Sequence, residues 1–458
     1  MALFRKSIAV LGGGITGLTA AYRLTALGHR VRLFEASARI GGAVRTEMTG
    51  GWLVEAGPNT LREDLPEVGA LLHELGLDAE RIEASPAAER RYLVRGGKLA
   101  ALPASLPGLV ASPLFSVSSK LRVLAELCTR PRGRTSDVSV AELVRAHFGA
   151  EVLEGVVQPF VSGIWAGDAA RLSARAAFPR ILEMEETHGS LLRGQMAAAK
   201  ARREREGAGT PRTISFRRGL QTLSWALTAR LPEGTIVLNA AIAALSPGER
   251  WQVAWRHGEE VLRESFDAVV APLPAGSLAR MEIGGPGQRP LAELAAIEHP
   301  PLASVFLGFR REQVAHPLDG CGVLVPAGER RSVLGVLFSS SMFPARAPAG
   351  CVALTVFAGG SLHPEIASLP PAELLPRVQA DLRDLLGATG EPRFVRHTFW
   401  PRSIPQYNLG CQAYREAVAR CEKAHPGLLI GGQAVDGVSL SQCIAAGGRL
   451  ADRVEHQS

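Results

Sequence analysis

Residues 7–28 admit few readings. Ser7–Leu11 (SIAVL) is a short apolar run, Gly12, Gly13 and Gly14 follow at once, and after Ile15, Thr16 and Gly17 a helical pattern of Leu18, Ala21 and Leu24 runs toward Gly28. This is strand, GxGxxG turn, helix. Gly12 permits the tight turn, Gly14 lets a pyrophosphate approach the main chain, and Gly17 lets helix and strand pack closely. Unpaired N–H groups at the helix start, at Ile15 and Thr16, then face the anion. A second apolar strand, 31–34, ends in Glu35 and Ala36, close to the spacing at which an acidic side chain binds ribose hydroxyls and disfavours a 2′-phosphate. The segment predicts an α/β unit that binds a dinucleotide.

Two later segments extend that site. Residues 39–46 read RIGGAVRT: Gly41 and Gly42, continued by Ala43 and Val44, permit a second close approach of main chain to phosphate, and Arg39 can pair with phosphate oxygens. Near the far end an apolar strand, 427–430, leads into Gly431, Gly432 and Gln433. Gly437, Val438, Ser439 and Leu440 then open a helix in which Leu440, Ile444, Gly447 and Gly448 make a face narrow enough to lie against something flat.

Composition removes other classes. With 458 residues, 46% of them hydrophobic, the chain can bury a ligand within several cores, and nothing suggests disorder. Only five of the 51 basic residues are Lys, so the +7 charge is an Arg excess compatible with acidic ligands. Those Arg are scattered among Glu, as in 202–206, which argues against nucleic acid. The six Cys form no CxxC and read as small apolar residues of a reducing compartment. Neither HExxH nor GxSxG occurs, and residues 1–6 are too short for a targeting peptide, so a cytoplasmic location is expected. Residues 99–119 carry no charge but contain Pro103, Pro107 and Pro113. They read as the lining of a pocket or as a segment resting on a bilayer rather than crossing it.

GGGITGL with Glu35, RIGGAVRT, EAGPNT (55–60) and GGQAVDGVSLSQCIAAG (431–447) resemble the FAD-dependent amine oxidase, phytoene desaturase and protoporphyrinogen oxidase superfamily. The interior selects a branch. RRYLVRGGKLAALPASLPGLVASPL, FVSGIWAGDAARLS, PPLASVFLGF, GCGVLVPAGERRSVLGVLFSSSMFPARAP and IPQYNLG are similar to the oxygen-dependent, flavin-containing protoporphyrinogen and coproporphyrinogen oxidases. The resemblance covers nearly the whole chain.

It implies a Rossmann-type, discontinuous α/β FAD domain (1–90, 213–272, 412–458), in which 216–227 returns to a helix and 235–238 and 267–271 return to strands. An α-helical insert (99–212) and an α+β, mixed-sheet substrate domain (273–411 with 91–98) complete the chain. Non-covalent FAD would be held by Gly12, Gly14, Ile15, Thr16, Gly17, Glu35, Ala36, Arg39, Gly41, Gly42, Ala43, Val44, Gly57, Pro58, Asn59, Val237, Trp400, Gly432, Gln433, Gly437, Val438, Ser439 and Leu440. A porphyrinogen would meet Arg91 through a propionate, Asn59, the Gly163 carbonyl, Gly322 and Leu324, and Cys321 where the family has Phe. The resemblance further implies hydride transfer from a meso carbon to flavin N5, reoxidation by molecular oxygen and peripheral membrane contact; a homodimer stays open. No catalytic acid, base or metal is implied. Coproporphyrinogen stays open as the alternative substrate. Residues 273–411 contain no Lys and no aromatic follows Tyr414, which disfavours an amine oxidase. A carotenoid-type desaturase and a non-catalytic flavoprotein are the remaining alternatives.

Overall fold

A five-stranded, all-parallel sheet carries the glycine turns. The computed structural model describes residues 5–103, 108, 111–112, 114–131, 136–204 and 211–456. The sheet order is Ile236–Val237, Arg30–Phe34, Ser7–Leu11, Ala268–Ala271, Leu428–Ile430. Ser7–Leu11 can lie at the centre because alternate side chains are apolar on both faces. Ile8 and Val10 meet the helices Ile15–Ala26, Pro66–Glu74, Gln221–Ala229 and Leu440–His456. Ala9 and Leu11 meet Trp251, Trp255 and Phe266 of a four-stranded sheet laid across the other face. Leu11 is fully buried, worth about 1.5–3 kcal/mol for its side chain.

Three local expectations change. Phe216 ends a strand, Arg212–Phe216, which pairs with Leu61–Glu63 and Arg81–Glu83; the helix begins only at Gln221. Ala275, Leu278, Ile283, Leu291 and Ile297, expected in the substrate portion, pack in the core beneath the parallel sheet, because Glu282–Ile283 adds a strand to the four-stranded sheet there. Of the six free cysteines, Cys411, Cys421 and Cys443 are buried, whereas Cys128 is exposed.

The second large sheet is mixed and seven-stranded, in the order Phe394–Trp400, Leu302–Arg310, Cys351–Gly359, Gly335–Leu337, Gly322–Leu324, Arg91–Arg95, Lys98–Ala101. Only the pairing of Gly322–Leu324 with Arg91–Arg95 is parallel. Strand alternation sorts its side chains. Val305, Val323, Val336 and Val356 bury themselves under the helix Pro371–Leu386. Arg91, Leu93, Leu324, Leu337 and Phe357 fall on the opposite face by register.

The described residues of 117–204 are mostly helical. Glu126 in Val117–Glu126, His147 in Val140–Phe148 and Glu185 in Pro179–His188 meet in the interior, each at most 2% exposed. His147 Nδ1 lies 2.9 Å from Glu126 and Nε2 lies 3.0 Å from Glu185. Between 99 and 119, Leu114 and Phe115 are buried against Leu93, the pocket-lining alternative; 104–107, 109–110 and 113 lie outside the described residues. Among the described residues no helix is long and apolar enough to cross a membrane.

Candidate active site

The glycine segments converge at the carboxyl ends of the parallel strands. The order in which strands are added reverses at Ser7–Leu11, first toward Arg30–Phe34 and then toward Ala268–Ala271, and such a switch point is where open α/β sheets bind ligands. Gly41 N–H donates to Gly13 O at 2.7 Å, and a Cβ on Gly42 would lie 3.1 Å from Gly14 Cα, so the two turns touch. A Cβ on Gly17 would sit 2.0 Å from Gly12 O, and one on Gly57 2.0 Å from Ala43 O; neither position accepts any other residue. A Cβ on Gly14 would meet nothing within 4 Å, which is the open cradle a phosphate chain needs. Gly12 and Gly432 flank Pro272 from opposite sides, bringing the C-terminal segment to the same place.

Glu35 accepts from Gly13 N–H at 2.7 Å and from Ser37 N–H and Oγ at 2.8 and 2.7 Å, which aims its carboxylate at the turn. Ala36, Gly42 and Ala43 are exposed along the groove, and Val44 is buried beneath it. Arg39 spends its guanidinium on the Ile40, Gly42 and Val44 carbonyls, bracing the second glycine turn. Val237 O accepts from Glu35 N–H at the sheet edge. Asn59 Nδ2 donates to Gly57 O across Pro58, and Trp400 Nε1 donates to Ala56 O, 2.9 Å, so Asn59 stays with this loop rather than with Arg91.

Leu440–His456 starts with a reciprocal cap: Gln442 N–H donates to Ser439 Oγ at 3.2 Å and Ser439 N–H to Gln442 Oε1 at 3.1 Å. Gln433 Nε2 donates to Val438 O, closing the preceding turn around Gly437, whose φ of +124° only glycine adopts readily. The narrow face expected to lie on a flat ligand does something else. A Cβ on Gly447 would meet Thr16 O at 2.6 Å, so that face is closed by the helix Ile15–Ala26.

On the mixed sheet, Arg91, Cys321, Gly322, Leu324 and Gly163 do come together. Gly322 is level with Arg91, and a Cβ on Gly322 would lie 2.1 Å from Val336 O. Cys321 N–H donates to Arg90 O; burial pushes its thiol up, against the neighbouring Arg91 guanidinium. Arg91 is exposed, while Arg90 pairs with Asp319 and Tyr92 donates to the same carboxylate. Gly163 lies over Leu324: a Cβ there would be 2.7 Å from Leu324 Cδ2. It stands in the last turn of Gln158–Trp165, where carbonyls lack intrahelical donors. Leu337 and Phe357 complete the apolar surface. Their signal was period-2 alternation in GVL and TVF, which marks a face but not its distant partner.

Beyond Leu93 a cavity of about 410 Å³ opens among Leu114, Phe115 and Val156, with Glu151, Glu154 and Glu329 in its lining. Arg95, its single cation among the described lining residues, is held by Glu151 at 2.9 Å. Burial pushes the Glu151 carboxyl up, but donors on Ser116, Ser119 and Arg95 outweigh it and leave the group at about 2.

A glycine cradle at the switch point of a parallel sheet, with a mixed-sheet module beside it, defines an FAD-dependent oxidoreductase. The chain belongs to the flavin containing amine oxidoreductase family, whose profile matches residues 15–455. It is 35% identical to protoporphyrinogen oxidase 2, chloroplastic/mitochondrial, of Arabidopsis thaliana, over 98% of this chain and 94% of that protein. It is 28% identical to coproporphyrinogen III oxidase of Bacillus subtilis (strain 168), over 97% and 96%. A solved structure from Exiguobacterium sp. 255-15 assigned to protoporphyrinogen oxidase superposes with a TM-score of 0.84 over the full length of both chains at 24% identity.

Proposed function

We propose that the protein oxidises protoporphyrinogen IX to protoporphyrin IX in tetrapyrrole biosynthesis, with coproporphyrinogen III the poorer substrate. The observation that carries this reading is the polarity of the mixed-sheet face. Arg91 stands at one end, apolar Leu93, Leu324, Leu337 and Phe357 follow, and the cavity beyond is lined by three carboxyl-bearing residues. Such a surface suits a flat macrocycle whose acidic arms share one edge.

FAD, held by the glycine turns, Glu35 and the 432–440 segment, supplies a two-electron acceptor when bound. The chain's own part is positioning. Arg91 orients a propionate, Gly163 allows the ring to lie close to a main-chain carbonyl, and Leu324, Leu337 and Phe357 exclude water. A meso carbon between two electron-rich pyrroles needs no strong base to release hydride. Six electrons and six protons leave the macrocycle in all, and three oxygen molecules take them up as hydrogen peroxide.

A fluorescence assay with both porphyrinogens tests the reading: faster porphyrin formation from protoporphyrinogen is expected, and no oxidation of either overturns it. Arg91→Ala is expected to raise KM about 10- to 150-fold with flavin content unchanged, since a shielded charged hydrogen bond contributes about 1.5–3 kcal/mol. Unaltered kinetics remove Arg91 from the site.

A second proposal concerns the membrane. Val117, Leu121 and Leu124 are exposed at i, i+4 and i+7 on Val117–Glu126, with Lys120 and Arg122 beside them. Peripheral contact with the cytoplasmic face of a bilayer follows, and protein left wholly at the bottom of a liposome flotation gradient rejects it.

A further inference from the structure

Tyr407 joins the two halves of the site. Its ring is 3% exposed and stands edge-on to Trp165, with centroids 5.5 Å apart. Trp165 ends the helix whose Gly163 lies over Leu324. At its other end the Tyr407 hydroxyl donates to Gln433 O at 2.7 Å and accepts from Gly437 N–H at 2.8 Å. One phenol therefore spans the turn that leads into Leu440–His456. Arg415, stacked 5.5 Å over the same ring, donates to Val435 O within that turn. Ser173 N–H donates to Tyr407 O, tying its main chain to the helical insert. Gly437 has φ +124°, a conformation open to glycine alone, and the phenol receives the N–H that this conformation presents. Burial holds the phenol protonated well above its usual range, so its donor role persists at working pH.

We propose that Tyr407 is a positioning residue that transmits the seating of substrate against Gly163 and Trp165 to the turn 433–437, and so sets the main-chain field of the helix start facing the flavin. Only the substrate's identity rests on the reading above; the hydroxyl bridge to the cofactor turn stands without it. Ser439 and Gln442 already satisfy part of that helix start, so the direction of its remaining donors depends on how the turn is held.

Tyr407→Phe keeps the ring and removes the bridge. FAD content is expected to persist, the flavin midpoint potential to fall, the visible band shape to change, and kcat to drop about tenfold with KM within about twofold, as for one lost hydrogen bond near 1.4 kcal/mol. A variant with wild-type potential and spectrum overturns the proposal. Trp165→Leu leaves the hydroxyl bridge in place, so its resting potential should match wild type, while the shift that bound porphyrin causes in wild type should disappear. Persistence of that shift, or its absence from wild type, overturns the relay. Failure to oxidise any porphyrinogen overturns the substrate reading alone, and the resting potential of Tyr407→Phe still decides the bridge.

Discussion

His147→Leu is expected to unfold the helical insert, at a cost of about 3–5 kcal/mol, while leaving the parallel sheet folded. Both ring nitrogens of His147 are engaged by carboxylates that are themselves buried. Glu126 also accepts from Ser190 Oγ and from the Leu191 and Leu192 N–H groups, at the start of the helix Leu191–Glu204. Four helices thus share one polar knot in an apolar interior. Leucine fills the volume but removes the imidazole that links the two buried side chains of Glu126 and Glu185. Urea unfolding and limited proteolysis within 117–204 measure the effect; a variant as resistant as wild type shows the knot to be dispensable. His147→Gln, which retains one donor, should lie between the two.

The second large effect separates two glycines of one turn, three residues apart. Gly17→Ala places a Cβ on the Gly12 carbonyl and should yield protein that neither holds the turn nor retains FAD. Gly14→Ala meets no protein atom, so it should fold and melt like wild type. Its methyl group nevertheless occupies the space left for phosphate, and FAD should bind at least about 100-fold more weakly, near 2.7 kcal/mol. Equal stability with unchanged FAD affinity in Gly14→Ala would place the dinucleotide elsewhere. Flavin absorbance after gel filtration, together with a thermal melt, distinguishes these outcomes.

These glycines were legible because main-chain geometry leaves one residue type able to occupy them, and the spacing to Glu35 is local. Three strands of the parallel sheet were legible for the same reason: Ser7–Leu11 ends at Gly12, Arg30–Phe34 at Glu35 and Leu428–Ile430 at Gly431. What stayed hidden was long-range. Arg91 and Gly322 are neighbours only through a parallel pairing between strands far apart in sequence. Tyr407 sits in a segment whose pattern says nothing of a carbonyl at Gln433. Small residues misled where they had two uses: the Gly447 face reads equally well as a seat for a flat ligand or for a second helix, and packing against Thr16 decides it. Residues 275–297 misled because a two-residue strand, too short to show alternation, anchors them to the four-stranded sheet.

The parallel sheet also carries an order of events. Its central strand, Ser7–Leu11, is made long before the strand that completes the cradle, Leu428–Ile430, and the helix that closes on Ile15–Ala26. At about 5–20 residues per second, the first glycine turn waits on the order of 20–80 s for its opposite wall. A complete cradle for the flavin then waits on Leu440–His456. From the time Ala268–Ala271 is made until Leu428–Ile430 arrives, one edge of that apolar strand has no partner, an opening for mispairing that the folded protein closes.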